Sequence, residues 1–443
     1  MREQEKPAAV STNENGKKIF KFLAISRVGL IGDLCAQLQK EGHEVKYFIE
    51  NEEEKQVSDG FVEKVENWKD WKDWAEVIIF DDSDFGSLAE SLRKQGKAVI
   101  GGTSYTDRLE LNREFGQEEM KSMGLNLLPY WTFKTFDDAA QFVQANPDRY
   151  VVKPDGTAQN EKVLSFIGQE EDGLDVLMIL KHYKKGWSSK IKSFQLQKFA
   201  TGVEVAVGGF FNGKDFIQPC CVNFEHKRLF NDEIGPTTGE MGTSMFWCNE
   251  GKLYEGTLLK MKPKLAAAGY VGYFDINCIA NNRGIYPLEC TCRFGVPTIT
   301  IQMEGILSPL GEFFQGIANG QTPTLKVKKG YQIGVVVAVP PFPFEDIKTF
   351  KKYSEESVVI FKKPARDGIW PADIKVVDDA WHLTGSSGYV LVVTGSGPTM
   401  DEARKEAYTR IKNIVIPNMF YRTDIGGRWS RDSDLLRTWG YLS

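Results

Sequence analysis

Residues 271–297 hold the side chains whose types and spacing best suit chemistry. They include two carboxylates, Asp275 and Glu289, and an arginine, Arg293. The segment reads as two strands, 273–279 and 285–290, joined by the turn Asn281-Asn282-Arg283-Gly284. A period of two puts Glu289 and Thr291 on one face of the second strand and Cys290 and Cys292 on the other. A carboxylate facing a cleft suits Mg²⁺, which takes oxygen ligands and shares them with substrate phosphates. An arginine beside it suits a transferring phosphoryl group, whose oxygens carry the charge. A surface hairpin with solvated charges has the same pattern.

Three other segments could serve such a site. Lys153 ends an apolar strand in Y-V-V-K-P-D-G, where a lysine can reach nucleotide phosphates as a point charge. Residues 156–162 would form a flap over them, although the single glycine there makes a weak phosphate loop. Glu204 stands just before the second strand of an expected hairpin, 193–199 with 205–211. Glu225-His226-Lys227-Arg228 puts two cations at a strand end, with His226 read as structural. Residues 235–244 read as a long loop dense in glycine and hydroxyls, the kind whose backbone amides approach a ligand. Met241 and Met245-Phe246-Trp247 would anchor it.

The elements that must position these groups begin with a β-α-β alternation. Strands are expected at 19–25, 44–49, 77–80 and 98–100, with helices at 28–40 and 85–95, which implies a small parallel sheet. Its carboxyl-end loops carry Ser26-Arg27, the acidic run Asp81-Asp82-Ser83-Asp84, and Gly101-Gly102-Thr103-Ser104. The first loop has Gly29 and Gly32 but no G-x-G-x-x-G, so a dinucleotide site is not expected. One helix is expected over 107–124, another over 303–319 and a third over 399–413, capped by Thr399. The last belongs to a closing α+β region with strands at 331–339, 358–361, 380–383 and 389–394.

Composition bounds the reading. A chain of 443 residues suggests two to four domains. Hydrophobic residues make up 42% and charged residues 26%, as in a globular protein. A net charge of -5 argues against nucleic-acid binding by bulk charge. No apolar run of about 18 residues exists, so no membrane span is expected. The polar N-terminus lacks a secretory apolar core and reads as a disordered tail. Seven cysteines, an odd number partly inside strands, fit reduced buried thiols of a cytoplasmic protein. Cys290-Thr291-Cys292 lacks the spacer of a zinc site.

From about residue 101 to 429 the chain resembles glycinamide ribonucleotide synthetase (phosphoribosylamine–glycine ligase), of the ATP-grasp superfamily. Glu225-His226-Lys227-Arg228 and Gly235-Pro236-Thr237-Thr238-Gly239-Glu240-Met241-Gly242 are similar to that family's D-H-K-R and G-P-x-T-G-G-M-G. Leu288-Glu289-Cys290-Thr291-Cys292-Arg293-Phe294-Gly295 resembles I-E-F-N-C-R-F-G. Gly334-Val335-Val336, Gly388-Tyr389-Val390-Leu391 and Tyr421-Arg422-Thr423-Asp424-Ile425-Gly426 resemble its closing motifs.

The resemblance implies an α/β and α+β multidomain chain. A tail over 1–18 precedes a preATP-grasp α/β domain over 19–110. An ATP-grasp domain of two subdomains spans 111–325, and a C-terminal α+β domain spans 326–443. It implies an ATP-dependent carboxylate–amine ligase working through an acyl phosphate in purine biosynthesis, with ATP and Mg²⁺ (or Mn²⁺). Its partners would be small molecules: an amino acid such as glycine and an amine acceptor. It implies ATP binding by Lys153, by Arg113 in place of a lysine, by Gln197 and Lys198 at the adenine hinge, and by Glu204. Glu289 would be the main metal ligand. Thr291 replaces a metal-binding Asn, and Asp275 or Asn277 could compensate. Arg293, Lys227 and Arg228 would be catalytic, with Gly235, Thr237, Thr238, Gly239 and Gly242 as the substrate loop.

Three departures bear on the acceptor. The family's G-x-G-G-R-E-H-A is replaced by residues 26–33, its G-P-E-x-P-L by Asp81-Asp82-Ser83-Asp84-Phe85, and the flap's G-K-G by Asn160-Glu161-Lys162. Three readings therefore stand: a phosphoribosylamine–glycine ligase, a ligase joining another carboxylate to another amine, or a silent nucleotide-binding module.

Overall fold

A computed structural model describes residues 18–155, 164–344 and 346–442. The expected tail, save Lys18, and residues 156–162 of the expected flap lie outside them. The chain opens with β1 (Lys21–Ser26), β2 (Glu44–Ile49), β3 (Val77–Phe80) and β4 (Ala98–Ile100). They form one parallel sheet in the order β2-β1-β3-β4, as the alternation implied. Its first helix starts at Gly32 and not at 28, because Gly29 is left-handed (φ +89°) and its N–H donates to the Ser26 hydroxyl at 2.7 Å.

Residues 107–124 are not one helix. Asn112 leaves the helical region (φ -114°, ψ 99°) and its side chain accepts from the Phe115 amide. It thereby ends Ser104–Leu111 and caps Arg113–Ser122. Residues 303–319 likewise divide into Thr298–Gly305 and Leu310–Ala318, with Pro309 as the N-cap of the second.

A small antiparallel sheet follows: β5 (Tyr130–Phe133), β6 (Tyr150–Pro154), β7 (Phe166–Ile167) and β8 (Phe194–Lys198), ordered β5-β8-β6-β7. Val152, Phe194 and Leu196 face the helices Phe136–Ala145 and Leu174–Gly186 in one apolar cluster. The alternate residues Val151, Lys153, Gln195 and Gln197 are paired across the ladder and face the other way.

The remaining strands are β9 (Val203–Asn212), β10 (Phe216–Glu225), β11 (Arg228–Phe230), β12 (Ile234–Thr237), β13 (Gly242–Cys248), β14 (Val271–Asn281), β15 (Gly284–Thr291), β16 (Tyr331–Ala338), β17 (Val358–Phe361), β18 (Ile369–Pro371), β19 (Ile374–Val377), β20 (Ala380–Leu383), β21 (Tyr389–Gly397) and β22 (Ile414–Val415). Eight form the central sheet β15-β14-β9-β10-β13-β16-β21-β18, which runs through the 325/326 division. Strands β19-β20-β17-β22 make a smaller sheet beside it, and the helix Met400–Ile411, capped by Thr399, contributes Ala403, Ala407 and Ile411 to the C-terminal core.

Two expectations fail here. β8 and β9 are not a hairpin: β8 pairs with β5 and β6, while β9 pairs with β10 and β14. The chain crosses between sheets at Gly202, where a Cβ would lie 2.4 Å from the Ala280 carbonyl oxygen. Glu204 is thus inside β9. Residues 235–244 are not one long loop either, since β12 runs to Thr237 and β13 starts at Gly242, leaving 238–241 as the turn.

One face of the central sheet is apolar. Val205, Val207, Phe274, Ile276, Cys278 and Cys290 pack there with Leu258, Met261 and Leu265 of the helix Leu258–Ala267. Deleting such a side chain costs about 2–5 kcal/mol. The opposite face carries Glu204, Asp275, Asn277, Glu289 and Thr291, set side by side by the registers Asp275↔Thr291, Asn277↔Glu289 and Ile279↔Glu204. The seven cysteines are free thiols, six of them buried. No helix among the described residues is long and apolar enough to cross a membrane.

Candidate active site

The polar end of the central sheet faces the polar face of the small sheet across a cavity of about 430 Å³. Lys153 on β6 and Glu289 on β15 both line it, with Arg113, Gln197, Lys198, Glu204, Lys227, Arg228, Thr237 at the end of β12 and the turn residues Thr238 and Gly239. Gly235 and Gly242 stay outside the lining and act on the backbone. Both are left-handed, with φ +86° and +149°, and a Cβ on Gly242 would lie 2.6 Å from the Gly334 carbonyl oxygen.

Lys227 is the electrostatic hub. Its Nζ lies 3.0 Å from Glu204, 3.3 Å from Glu225 and 3.6 Å from Glu289. Burial opposes its charge, but the three carboxylates raise it well above the usual lysine range. Lys153 has the reverse balance. Burial and then Arg113 push it down to about 7, against the pull of Glu289. An incoming anion would favour its charged form. Gln197 presents a buried amide nitrogen that has no hydrogen-bond partner among the described residues. Lys198 is held by Asp148 at 2.5 Å.

The turn is clamped from behind. The Thr238 amide and hydroxyl donate to the Lys227 carbonyl at 2.7 and 2.9 Å, and the Met241 amide to that of His226. His226 Nε2 accepts from the Gly426 amide at 3.3 Å, so its Nδ1 carries the proton toward Glu233, 2.9 Å away. Burial lowers the His226 pKa, keeping the ring neutral and structural as expected. Arg422, 1% exposed, reaches Glu233 and Asp424 at 2.7 Å and the Arg228 carbonyl at 2.9 Å.

Beyond Glu289 lies a second cavity, of about 420 Å³. Glu289 and Arg113 line it as well as the first, and Thr291 and Arg293 line its far side. Arg293 does not face the first cavity. Its Nε lies 3.1 Å from Glu110 and 3.2 Å from Asp82, which hold it firmly charged despite burial. The acidic loop after β3 is thus partnered by arginines, Asp82 by Arg293 and Asp84 by Arg27. Asp275 lines neither cavity. It is 4% exposed, and burial and then Glu225 raise its pKa well above the carboxylate range.

Among the described residues no cluster of three or more His, Cys, Asp or Glu is arranged to hold an ion alone. Mg²⁺ does not need one, since it binds through one or two carboxylates plus substrate phosphates. Glu289 at the wall between the cavities, with Thr291 beside it, fits that mode. The sequence reading missed Glu233 and Arg428, which line the first cavity, and Glu110, which pairs with Arg293. No local motif announces Glu110. Arg428 lies two residues beyond the last resembling segment, which ends at Gly426.

Residues 111–298 match the model of the phosphoribosylglycinamide synthetase ATP-grasp (A) domain, and residues 333–428 that of the phosphoribosylglycinamide synthetase C domain. The phosphoribosylamine–glycine ligase of Corynebacterium ammoniagenes is 27% identical over 364 residues, covering 78% of this chain and 82% of that protein. That of Streptococcus pneumoniae R6 is 25% identical over 360 residues, covering 79% and 82%. Among solved structures, phosphoribosylamine–glycine ligase from Thermotoga maritima superposes with a TM-score of 0.69 at 21% identity, covering 91% of this chain and all of the other. The biotin carboxylase domain of Hydrogenobacter thermophilus 2-oxoglutarate carboxylase, solved with MgADP and bicarbonate, gives 0.62 at 15% identity, covering 96% and 100%. The fold is therefore ATP-grasp, and with both family domains matched in order over well over half its length, the chain is an ATP-dependent ligase that belongs to the phosphoribosylglycinamide synthetase family.

Proposed function

We propose that the protein joins an amino-acid carboxylate to an amine, with ATP and Mg²⁺ consumed at the cleft between β6 and β15. The observation that carries this is the shared cavity of Lys153, Arg113 and Glu289. Lys153 and Arg113 grip the phosphates, Gln197 donates its partnerless amide to the adenine edge, and Lys198 and Glu204 close the nucleoside end. Glu289, with Thr291 beside it, would hold the divalent ion, while buried Asp275, which lines neither cavity, would stay outside its ligand set. That ion, when bound, offsets phosphate charge.

In this reading the substrate carboxylate lies in the second cavity, where Arg293 stabilises the transferring phosphoryl group. The β–γ P–O bond breaks as the carboxylate oxygen takes the phosphoryl. The amine nitrogen then attacks the acyl carbon, the C–N bond forms, and inorganic phosphate leaves with the electron pair of the broken C–O bond. Lys227 balances Glu204, Glu225 and Glu289 when phosphates are absent, and Arg228 with Thr237, Thr238 and Gly239 forms the movable wall.

Glycine and phosphoribosylamine are the substrates in the first reading, which places the protein in purine biosynthesis, and the seven free thiols agree with a cytoplasmic place. A different amine is the second reading, favoured by the replacement of the family's N-terminal glycine-rich loop by residues 26–33. Phosphate release with Mg²⁺-ATP, each substrate omitted in turn, separates them. Dependence on glycine and phosphoribosylamine supports the first, turnover only with other amines supports the second, and ATP binding without turnover with any amine rejects both.

A further inference from the structure

Arg293 stands at the wall between the second cavity and a third, of about 660 Å³, whose other walls include Glu54, Glu240 and Asp373. How it is held there decides what it can do. A guanidinium has five N–H donors in a planar fork, one on Nε and two on each terminal nitrogen. Nε donates to one Glu110 oxygen at 3.1 Å, and Asp82 stands 3.2 Å from the same nitrogen. Nη1 donates to the carbonyl of Phe294, the next residue, at 3.1 Å. Nη2 has no hydrogen-bond partner among the described residues.

Glu110 does more than neutralise this group. Its second oxygen accepts from the Cys292 amide at 2.8 Å. One carboxylate therefore grips both the backbone entering Arg293 and the far end of its side chain, which leaves the connecting torsions little freedom. The two residues are 183 positions apart in the chain. Glu110 is placed by the last turn of the helix Ser104–Leu111, whose Leu109 is buried in the core under the central sheet and which Asn112 stops. Its side chain is 15% exposed, so its pull on the arginine is little screened by salt. Arg113, which opens the next helix, lines both the nucleotide cleft and the second cavity. A plain tie between the N-terminal region and the central sheet needs only one of the two Glu110 bonds. The pair, on the backbone and the tip of one arginine, specifies where that tip lies.

We propose that Glu110 is a positioning residue for phosphoryl transfer. By fixing Nε of Arg293 it keeps the Nη2 protons available to the oxygens of the transferring phosphoryl group. Glu110 acts through Arg293 and takes no part in the bond changes. The inference rests on the ligase reading above, in which Arg293 stabilises that group.

The full-length protein is incubated with Mg²⁺-ATP, a mixture of the common amino acids and hydroxylamine, which traps an acyl phosphate as hydroxamate. The rate then reports phosphoryl transfer whatever the natural amine. Glu110→Gln keeps the shape, but its amide sets an NH₂ group against either the Cys292 amide or Nε of Arg293. The saturated rate should fall about tenfold or more, with ATP affinity within about threefold. Glu110→Asp keeps the charge one methylene short and should recover part of that loss. In Arg293→Lys, which has no Nε to hold, adding Glu110→Gln should cost less than about threefold. A merely structural tie would cost the same in both backgrounds. Only preparations whose melting temperature rises with ATP are compared, and Glu110→Asp supplies the contrast where Glu110→Gln fails to fold. Equal losses in the two backgrounds, or an unchanged rate in the single variants of Glu110, overturns the inference alone. No hydroxamate from the unmutated protein overturns the ligase reading, and an unchanged rate in Arg293→Lys overturns the role of Arg293; the inference falls with either.

Discussion

Lys227 Nζ stands 3.6 Å from Glu289 across the mouth of the nucleotide cleft. Glu204 and Glu225 hold the same ammonium closer still. The free protein thus keeps its acidic wall neutralised until phosphates and an ion arrive. Glu289→Gln keeps the shape and removes the charge. Turnover should fall by about 10²–10³, with a melting temperature close to that of the parent. Steady-state phosphate release against Mg²⁺ concentration checks this, and unchanged turnover removes Glu289 from the mechanism.

If Lys153 grips the phosphates as proposed, the nucleotide site is pH-sensitive. Burial and then Arg113 push the lysine's pKa down to about 7 in the free protein, well below the usual lysine range. Below pH 7 it already carries the charge that phosphates need, and above pH 7 the free protein loses it. The KM for ATP should be flat below about pH 7 and rise by up to about tenfold per unit above it, with proton uptake on binding. Titrations of ATP binding from pH 6 to 9 in two buffers of different ionisation enthalpy measure both effects. Lys153→Met should bind weakly and without the pH dependence, whereas a wild-type KM flat across the range would remove Lys153 from the phosphate site.

Arg422 ties the segment after β22 to the strands that flank the 238–241 turn. Its guanidinium meets Glu233, Asp424 and the Arg228 carbonyl at 1% exposure. Arg422→Ala takes the guanidinium from the partly exposed Glu233 and Asp424 and from the Arg228 carbonyl, and should cost about 1–3 kcal/mol. Arg422→Lys cannot span the three partners, because a point charge replaces a planar fork. It should retain more stability yet show a raised ATP KM, since the turn holding Thr238 and Gly239 loses its clamp. Thermal denaturation and ATP kinetics of the two variants separate the effects.

Arg293 is the residue whose loss should fall on kcat. It lines the second and third cavities and not the nucleotide cleft. Arg293→Lys should therefore lower kcat by about 10²–10³ while leaving ATP affinity within about threefold. Equilibrium nucleotide binding alongside turnover tests the split.

What the sequence made legible follows from local physics. Alternation along 285–291 placed Glu289 opposite Cys290 because side chains on a strand must point to opposite faces. The β-α-β pattern of the first hundred residues implied the parallel sheet for a similar reason. What stayed hidden depends on long-range placement. β8 and β9 look like a hairpin because consecutive strands usually pair, and only the crossing at Gly202 reveals otherwise. Glycines at 235 and 242 suggested a loop, but their left-handed φ values lie at the ends of strands. Glu54, Glu240, Arg293 and Asp373 share a chamber although they come from four distant segments. No spacing rule joins them.

The central claim is that nucleotide phosphates are gripped between Lys153 and Glu289. A crystal structure of the protein with Mg²⁺ and a non-hydrolysable ATP analogue tests it most directly. The account predicts the terminal phosphate beside Lys153 Nζ, with the ion bridging it to the Glu289 carboxylate and the adenine against Gln197. An analogue bound elsewhere, with Lys153 still facing an empty cleft, would contradict it.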